Sequence, residues 1–113
     1  MKEVKAYIKP HKRGAVVHAL HRIEGLTGAS VVEARGFGRS GGRSDRHGIE
    51  DELELLAAHL QVTVMCRDAE VEEVVGAIVE NAHTGLHGDG KVYVLDVADA
   101  VRIATDERGD EAV

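Results

Sequence analysis

The chain has 113 residues, 43% of them hydrophobic, and a formal net charge of −6, which fits one domain over residues 1–113 with a small core that association would help to stabilise. The acidic balance speaks against a nucleic-acid partner, whose phosphates need a basic stripe to neutralise them. Cys66 is the single cysteine and admits no intrachain disulfide, no apolar run approaches the roughly 20 residues of a membrane helix, and the start, Met1-Lys2-Glu3-Val4, has no apolar leader, so a cytoplasmic protein without membrane insertion is expected.

Residues 3–9 alternate Val4, Ala6 and Ile8 with Lys5, Tyr7 and Lys9, the pattern of a half-buried strand that Pro10 ends. Val16, Val17, Leu20 and Ile23 then fall at helical spacing over residues 11–24, and Gly25 and Gly28 are expected to stop that helix. Residues 30–37 carry Val31, Val32, Ala34 and Phe37 and read as a second strand. From 36 to 48 glycines alternate with polar residues and no apolar period survives, which predicts a mobile loop. Residues 49–58 are acidic and then helix-like, with Leu53, Leu55 and Leu56. Leu60, Val62, Val64 and Cys66 alternate as a third strand.

An amphipathic helix follows over residues 68–82, with Val71, Val74, Val75, Ile78 and Val79 as its stripe, Asp68 as N-cap, and Glu70, Glu72 and Glu73 at the positive end of its dipole. A second glycine-rich loop leads into a fourth strand over residues 91–95. A short turn or helix is expected near residues 98–101, then a charged and disordered tail over 104–113. The order βαββαβ predicts a ferredoxin-like α+β sandwich: a four-stranded antiparallel sheet, two helices on one face, and a long flexible loop between the second and third strands.

Gly85-Leu86-His87-Gly88-Asp89-Gly90-Lys91 has the glycine spacing of a phosphate-binding loop. Its context is that of a helix-to-strand turn, and Val92 stands where such a loop needs a hydroxyl for Mg²⁺, so an NTPase fold is rejected. The physics of backbone N–H groups turned toward an anion, with the Lys91 ammonium beside them, remains; a plain tight turn is the competing reading. Gly36-Phe37-Gly38-Arg39-Ser40-Gly41 matches G-x-G-x-x-G, but no helix is expected to open at its third glycine, so a dinucleotide fingerprint fails. Arg35, Arg39, Arg43 and Arg46 cluster with Phe37 as the lone aromatic, which suits one small polyanion better than stacked bases.

Together the two loops carry a resemblance. Gly36-Phe37-Gly38-Arg39, the run from Thr84 through Val94, Val101-Arg102-Ile103, Ile8-Lys9-Pro10 and Glu107-Arg108-Gly109 resemble the P-II nitrogen-regulatory signal proteins over nearly the whole chain. The resemblance implies a non-catalytic homotrimer, with slow ATP hydrolysis at most, that binds ATP or ADP in clefts between subunits and regulates a transporter or metabolic enzyme through an effector loop over residues 39–55. The nucleotide-binding positions it implies are Gly36, Phe37, Gly38, Arg39, Thr84, Gly85, Gly88, Asp89, Gly90, Lys91 and Arg102.

The departures define what is not carried over. Ser40 stands where relatives that sense 2-oxoglutarate have a glutamine that helps hold Mg²⁺, and His59 stands where they have a lysine. The effector loop has no tyrosine, the expected place being near Glu52, which excludes uridylylation there, and Ala104 replaces a second C-terminal arginine. The resemblance extends to divergent P-II-like proteins associated with metal or other transport, which keeps such a role as the alternative; of the seven histidines, His83 and His87 are the candidate ligands, three or four convergent ligands being the usual requirement, whereas His18, opposite the apolar stripe, and His21, at its edge, read as a solvated face. Met65 and Cys66 must point to opposite sheet faces. Glu50, Asp51, Glu52 and Glu54 read as a solvated charge run rather than catalytic carboxylates.

Overall fold

The computed structural model describes residues 1–38 and 56–113. The anticipated effector loop, 39–55, including Arg39, Ser40 and the carboxylates of residues 50–54, lies outside the described residues.

Four strands form one sheet: β1 (Lys2–Ile8), β2 (Ser30–Gly36), β3 (Ala57–Cys66) and β4 (Lys91–Asp96). Their order is β2-β3-β1-β4, and every neighbouring pair is antiparallel. Helices α1 (Arg13–His21) and α2 (Val71–Ala82) pack on each other and on the sheet, completing the expected ferredoxin-like sandwich. The alternation read from the sequence is the register observed. Val4, Ala6 and Ile8 stand opposite Val64, Val62 and Leu60, and all six are buried. Val16, Leu20 and Ile23 from the first helical segment and Val74, Ile78 and Ala82 from α2 close the same core.

Four local readings are corrected. Ala57 and Ala58, anticipated as helix, begin β3, because pairing with Gly36 and Arg35 satisfies their backbone groups in the sheet. The first helix opens with a single 3₁₀ turn at Pro10–Lys12 and ends at His21, before Gly25, and Val17 on it and Val79 on α2, both read as part of a buried stripe, are exposed. Asp68 caps nothing: it opens a 3₁₀ turn, Asp68–Glu70, and its carboxylate accepts a hydrogen bond from the Met1 ammonium at 2.8 Å. The segment after β4 is not a free tail. Val101 bridges Arg108, Gly109 N–H donates to Ala100 C=O at 3.0 Å, and Arg67 donates twice to Asp110 C=O, while the helical residues there are a 3₁₀ turn at Gly109–Ala112 rather than residues 98–101.

Among the described residues, the second sheet face carries no helix. Val32, Met65, Tyr93 and Leu95 are exposed on it, with Tyr7 and Tyr93 in edge contact at 6.3 Å between ring centres. Met65 thus faces out where Cys66 is buried, as alternation requires.

Candidate functional site

The loop between α2 and β4 is shaped by one carboxylate. Asp89 turns back into the loop, where Oδ2 accepts from the N–H of Thr84 at 2.7 Å and of Gly85 at 3.3 Å, and Oδ1 accepts from the Thr84 hydroxyl. Thr84 Oγ1 in turn accepts from the Leu86 N–H at 3.1 Å. The Lys9 ammonium stands 3.2 Å from Asp89 Oδ1 and 3.3 Å from Thr84 Oγ1, and His83 Nδ1 stands 3.5 Å from Oδ2. The Thr84 hydroxyl and N–H, followed by Lys9 and the Gly85 N–H, hold the Asp89 carboxyl well below the usual carboxylate range.

Three glycines make this turn accessible. Gly85 and Gly88 have φ of 82° and Gly90 has φ of 105°, left-handed values that side chains resist. At Gly90 the space is closed as well: a Cβ would overlap the Tyr7 carbonyl oxygen and lie 2.8 Å from its carbon. The loop is thereby seated on β1, directly before Lys91 enters β4 opposite Tyr7. Among the described residues, the N–H groups of His87, Gly88 and Gly90 have no protein acceptor.

A cleft of about 900 Å³ opens between this loop and the ends of β2 and β3. Gly36, Phe37 and Gly38 form one side; Gly88, Asp89, Gly90 and Lys91 form the other; Tyr7, Lys9 and His59 lie between. Arg35, Lys9 and Lys91 supply positive charge, and Asp89 is the one carboxylate among the described lining residues, already paired with Lys9. An open, glycine-walled, cationic cleft whose loop carries N–H groups without a protein acceptor among the described residues suits a phosphate-bearing anion.

Seven of the anticipated residues thus meet in one place. Thr84 and Gly85 stand behind the cleft as its scaffold rather than on its wall. Arg102 lies elsewhere. β4 spans about 17 Å at some 3.3 Å per residue and carries the chain from Tyr7 to Lys2, and Arg102 follows at that far end, donating to Glu111 C=O at 3.0 Å and paired with Glu107 at 3.5 Å. There a second hollow of about 550 Å³ is lined by Gly28, Thr63, Met65 and Val101 among others. Sequence reasoning did not name Lys9 as a site residue, although Ile8-Lys9-Pro10 stood out; His59 entered only as a departure, yet its ring lies 3.5 Å from where a Gly36 Cβ would be. Among the described residues no three of His, Cys, Asp and Glu converge as a metal site, and His83 is directed at Asp89 instead. No described helix is long and apolar enough to cross a membrane.

With this fold and cleft in place, the chain can be set beside known proteins. It matches the family described as "Nitrogen regulatory protein P-II" over residues 1–107. It is 41% identical to the nitrogen regulatory protein P-II of Azospirillum brasilense and 42% identical to that of Rhodospirillum rubrum, each over the full length of both chains. Among solved structures it resembles Arabidopsis thaliana PII bound to citrate, with a TM-score of 0.81 and 35% identity over 99% of this chain and 91% of that one. The chain belongs to the P-II nitrogen regulatory protein family.

Proposed function

We propose that this P-II family member is a cytoplasmic homotrimer that binds ATP or ADP between subunits and, through residues 39–55, regulates a transporter or enzyme of nitrogen metabolism. The observation that carries this reading is the placement of the anticipated phosphate-binding residues at two ends of one sheet. The glycine loop and Lys91 stand at the Tyr7 end, and Arg102 stands at the Lys2 end. A head-to-tail ring brings one subunit's glycine cleft against the next subunit's Arg102 end, closing a site that a lone chain leaves open. The exposed apolar residues of the sheet face turned away from α1 and α2, Val32, Met65, Tyr93 and Leu95, give such a ring an area to bury.

Within the site the glycine loop offers N–H groups to phosphate oxygens and Lys91 adds a point charge. Nucleotide shifts the effector segment only if it contacts two states of that segment differently. The chain leaves β2 after Gly36, and Phe37 and Gly38, which line the cleft, lead into that segment. 2-Oxoglutarate is left out of the proposed ligands: His59 lines the cleft at the position where relatives that sense it have a lysine, and Ser40 stands where they have a glutamine.

Titration calorimetry with ATP and ADP tests the reading. Lys91→Ala removes one charge-assisted bond, about 1.5–3 kcal/mol, and weakens binding about tenfold to a hundredfold. Size-exclusion chromatography is expected to find the trimer intact, because strand pairing uses the backbone. Unchanged affinity in that variant, or no heat and no thermal shift of the wild type at millimolar nucleotide, refutes the assignment.

A further inference from the structure

We propose that Lys9, one residue beyond β1, is a positioning residue that clamps the anion loop from the sheet and cancels the charge of the carboxylate inside it. This rests on the reading of the cleft as a nucleotide site. The Lys9 backbone is fixed on both sides: Ile8 pairs with Leu60, and Lys9 C=O accepts from Lys12 N–H at 3.0 Å in the turn that Pro10 opens. Its side chain crosses to the loop and meets it at three points. The ammonium reaches Thr84 at the loop's start and Asp89 near its end, and Cε lies 3.9 Å from the Cβ position of Gly88.

Each contact has a distinct effect. Asp89 is needed to gather the Thr84 and Gly85 N–H groups, yet an uncompensated carboxylate beside a phosphate site would repel the ligand. Lys9 neutralises it from the side toward β1, which leaves Lys91 to face the anion. Lys91 makes no ion pair among the described residues. His83 approaches the same carboxylate, but it is 71% exposed and replaceable by water; the Lys9 and Asp89 side chains are each 22% exposed.

The test uses the full chain with Lys9→Met, Lys9→Arg, Asp89→Asn and the Lys9→Met/Asp89→Asn double variant. Two readouts are taken: ADP affinity by calorimetry, and hydrogen exchange of the Gly85 and Leu86 amides without nucleotide. Lys9→Met is expected to weaken ADP about tenfold and to speed exchange at both amides, with the double variant no worse than the more severe single. Lys9→Arg, which keeps the charge, is expected to recover most of the affinity. A merely structural lysine would lower thermal stability and leave the affinity of the folded protein unchanged. Wild-type affinity together with wild-type exchange in Lys9→Met overturns the proposal. If the wild type itself binds no ADP, the nucleotide reading fails, and the exchange data still decide the clamp: faster exchange supports it and unchanged exchange overturns it. Should Lys9→Met not fold, Lys9→Arg against Asp89→Asn carries the same comparison.

Discussion

Replacing Gly90 by alanine is the sharpest perturbation of the site. The new methyl has nowhere to go: its positions toward β1 are taken by the Tyr7 carbonyl, which is backbone and held by the sheet. The residue must also keep φ near 105° with a Cβ, a strained conformation costing about 1–3 kcal/mol. Relieving the overlap means lifting the loop off β1, which adds overpacking strain of about 1–3 kcal/mol or breaks the first Lys91–Tyr7 pairing at about 1 kcal/mol per hydrogen bond. The sum is about 2–6 kcal/mol, a large part of the roughly 5–15 kcal/mol that holds a domain together. At about 4 °C per kcal/mol, the melting temperature should fall by about 8–24 °C. Urea and thermal unfolding, without nucleotide and at fixed protein concentration, measure it. Gly76→Ala is the control: Gly76 lies inside α2 with open space where its Cβ would go, and alanine there should stabilise by about 0.5–1 kcal/mol. If Gly90→Ala unfolds within 0.5 kcal/mol of the wild type by this measure, the seating of the loop on β1 is refuted.

Two further outcomes follow from protonation. The folded-state Asp89 carboxyl titrates below its ordinary 3.8, so its contribution is fully present above that value and is lost as pH falls through the lower folded value. The stability difference between wild type and Asp89→Asn should therefore be flat from about pH 5 to 8 and shrink below pH 3.8, which urea midpoints across that range will reveal. Burial, with Glu70 adding to it, pushes the Cys66 thiol up, and Cys66 is 1% exposed. An aromatic disulfide reagent at pH 8 should leave it unreacted in the native protein and modify it in urea; prompt native reaction would contradict its burial.

The core was legible because burial imposes a period. Val4, Ala6 and Ile8 and their partners in β3 declare the sheet's inner face, and Val74 and Ile78 declare the helix that covers it. Where residue preference and sheet pairing disagree the sequence misleads: Ala57 and Ala58 favour helix in isolation and are strand because β2 supplies their partners. The folding back of residues 104–113 was hidden for a different reason. Three of its contacts end on the backbone carbonyls of Glu107, Asp110 and Glu111, groups every residue possesses, and its ion pairs, Arg108 with Asp99 and Arg102 with Glu107, join charges that have many like neighbours in the sequence. The glycine loop was visible from its spacing, whereas Lys9 gains its meaning only when the fold sets it beside Thr84 and Asp89.

The pairing of β2 with β3 runs up to Gly36 opposite Ala57, and the Arg35 guanidinium donates to Leu56 C=O at 3.2 Å just beyond. Whatever chain runs between those points must therefore depart and return at a single doorway, the rim of the glycine-walled cleft. The cost of bringing its ends together is met by the ladder on either side, and each doubling of the intervening length adds only about 0.6 kcal/mol. On the proposed function, insertions or wholesale replacement within residues 39–55 re-address the protein to a different target without disturbing the sheet, while any such new segment still begins and ends at the cleft.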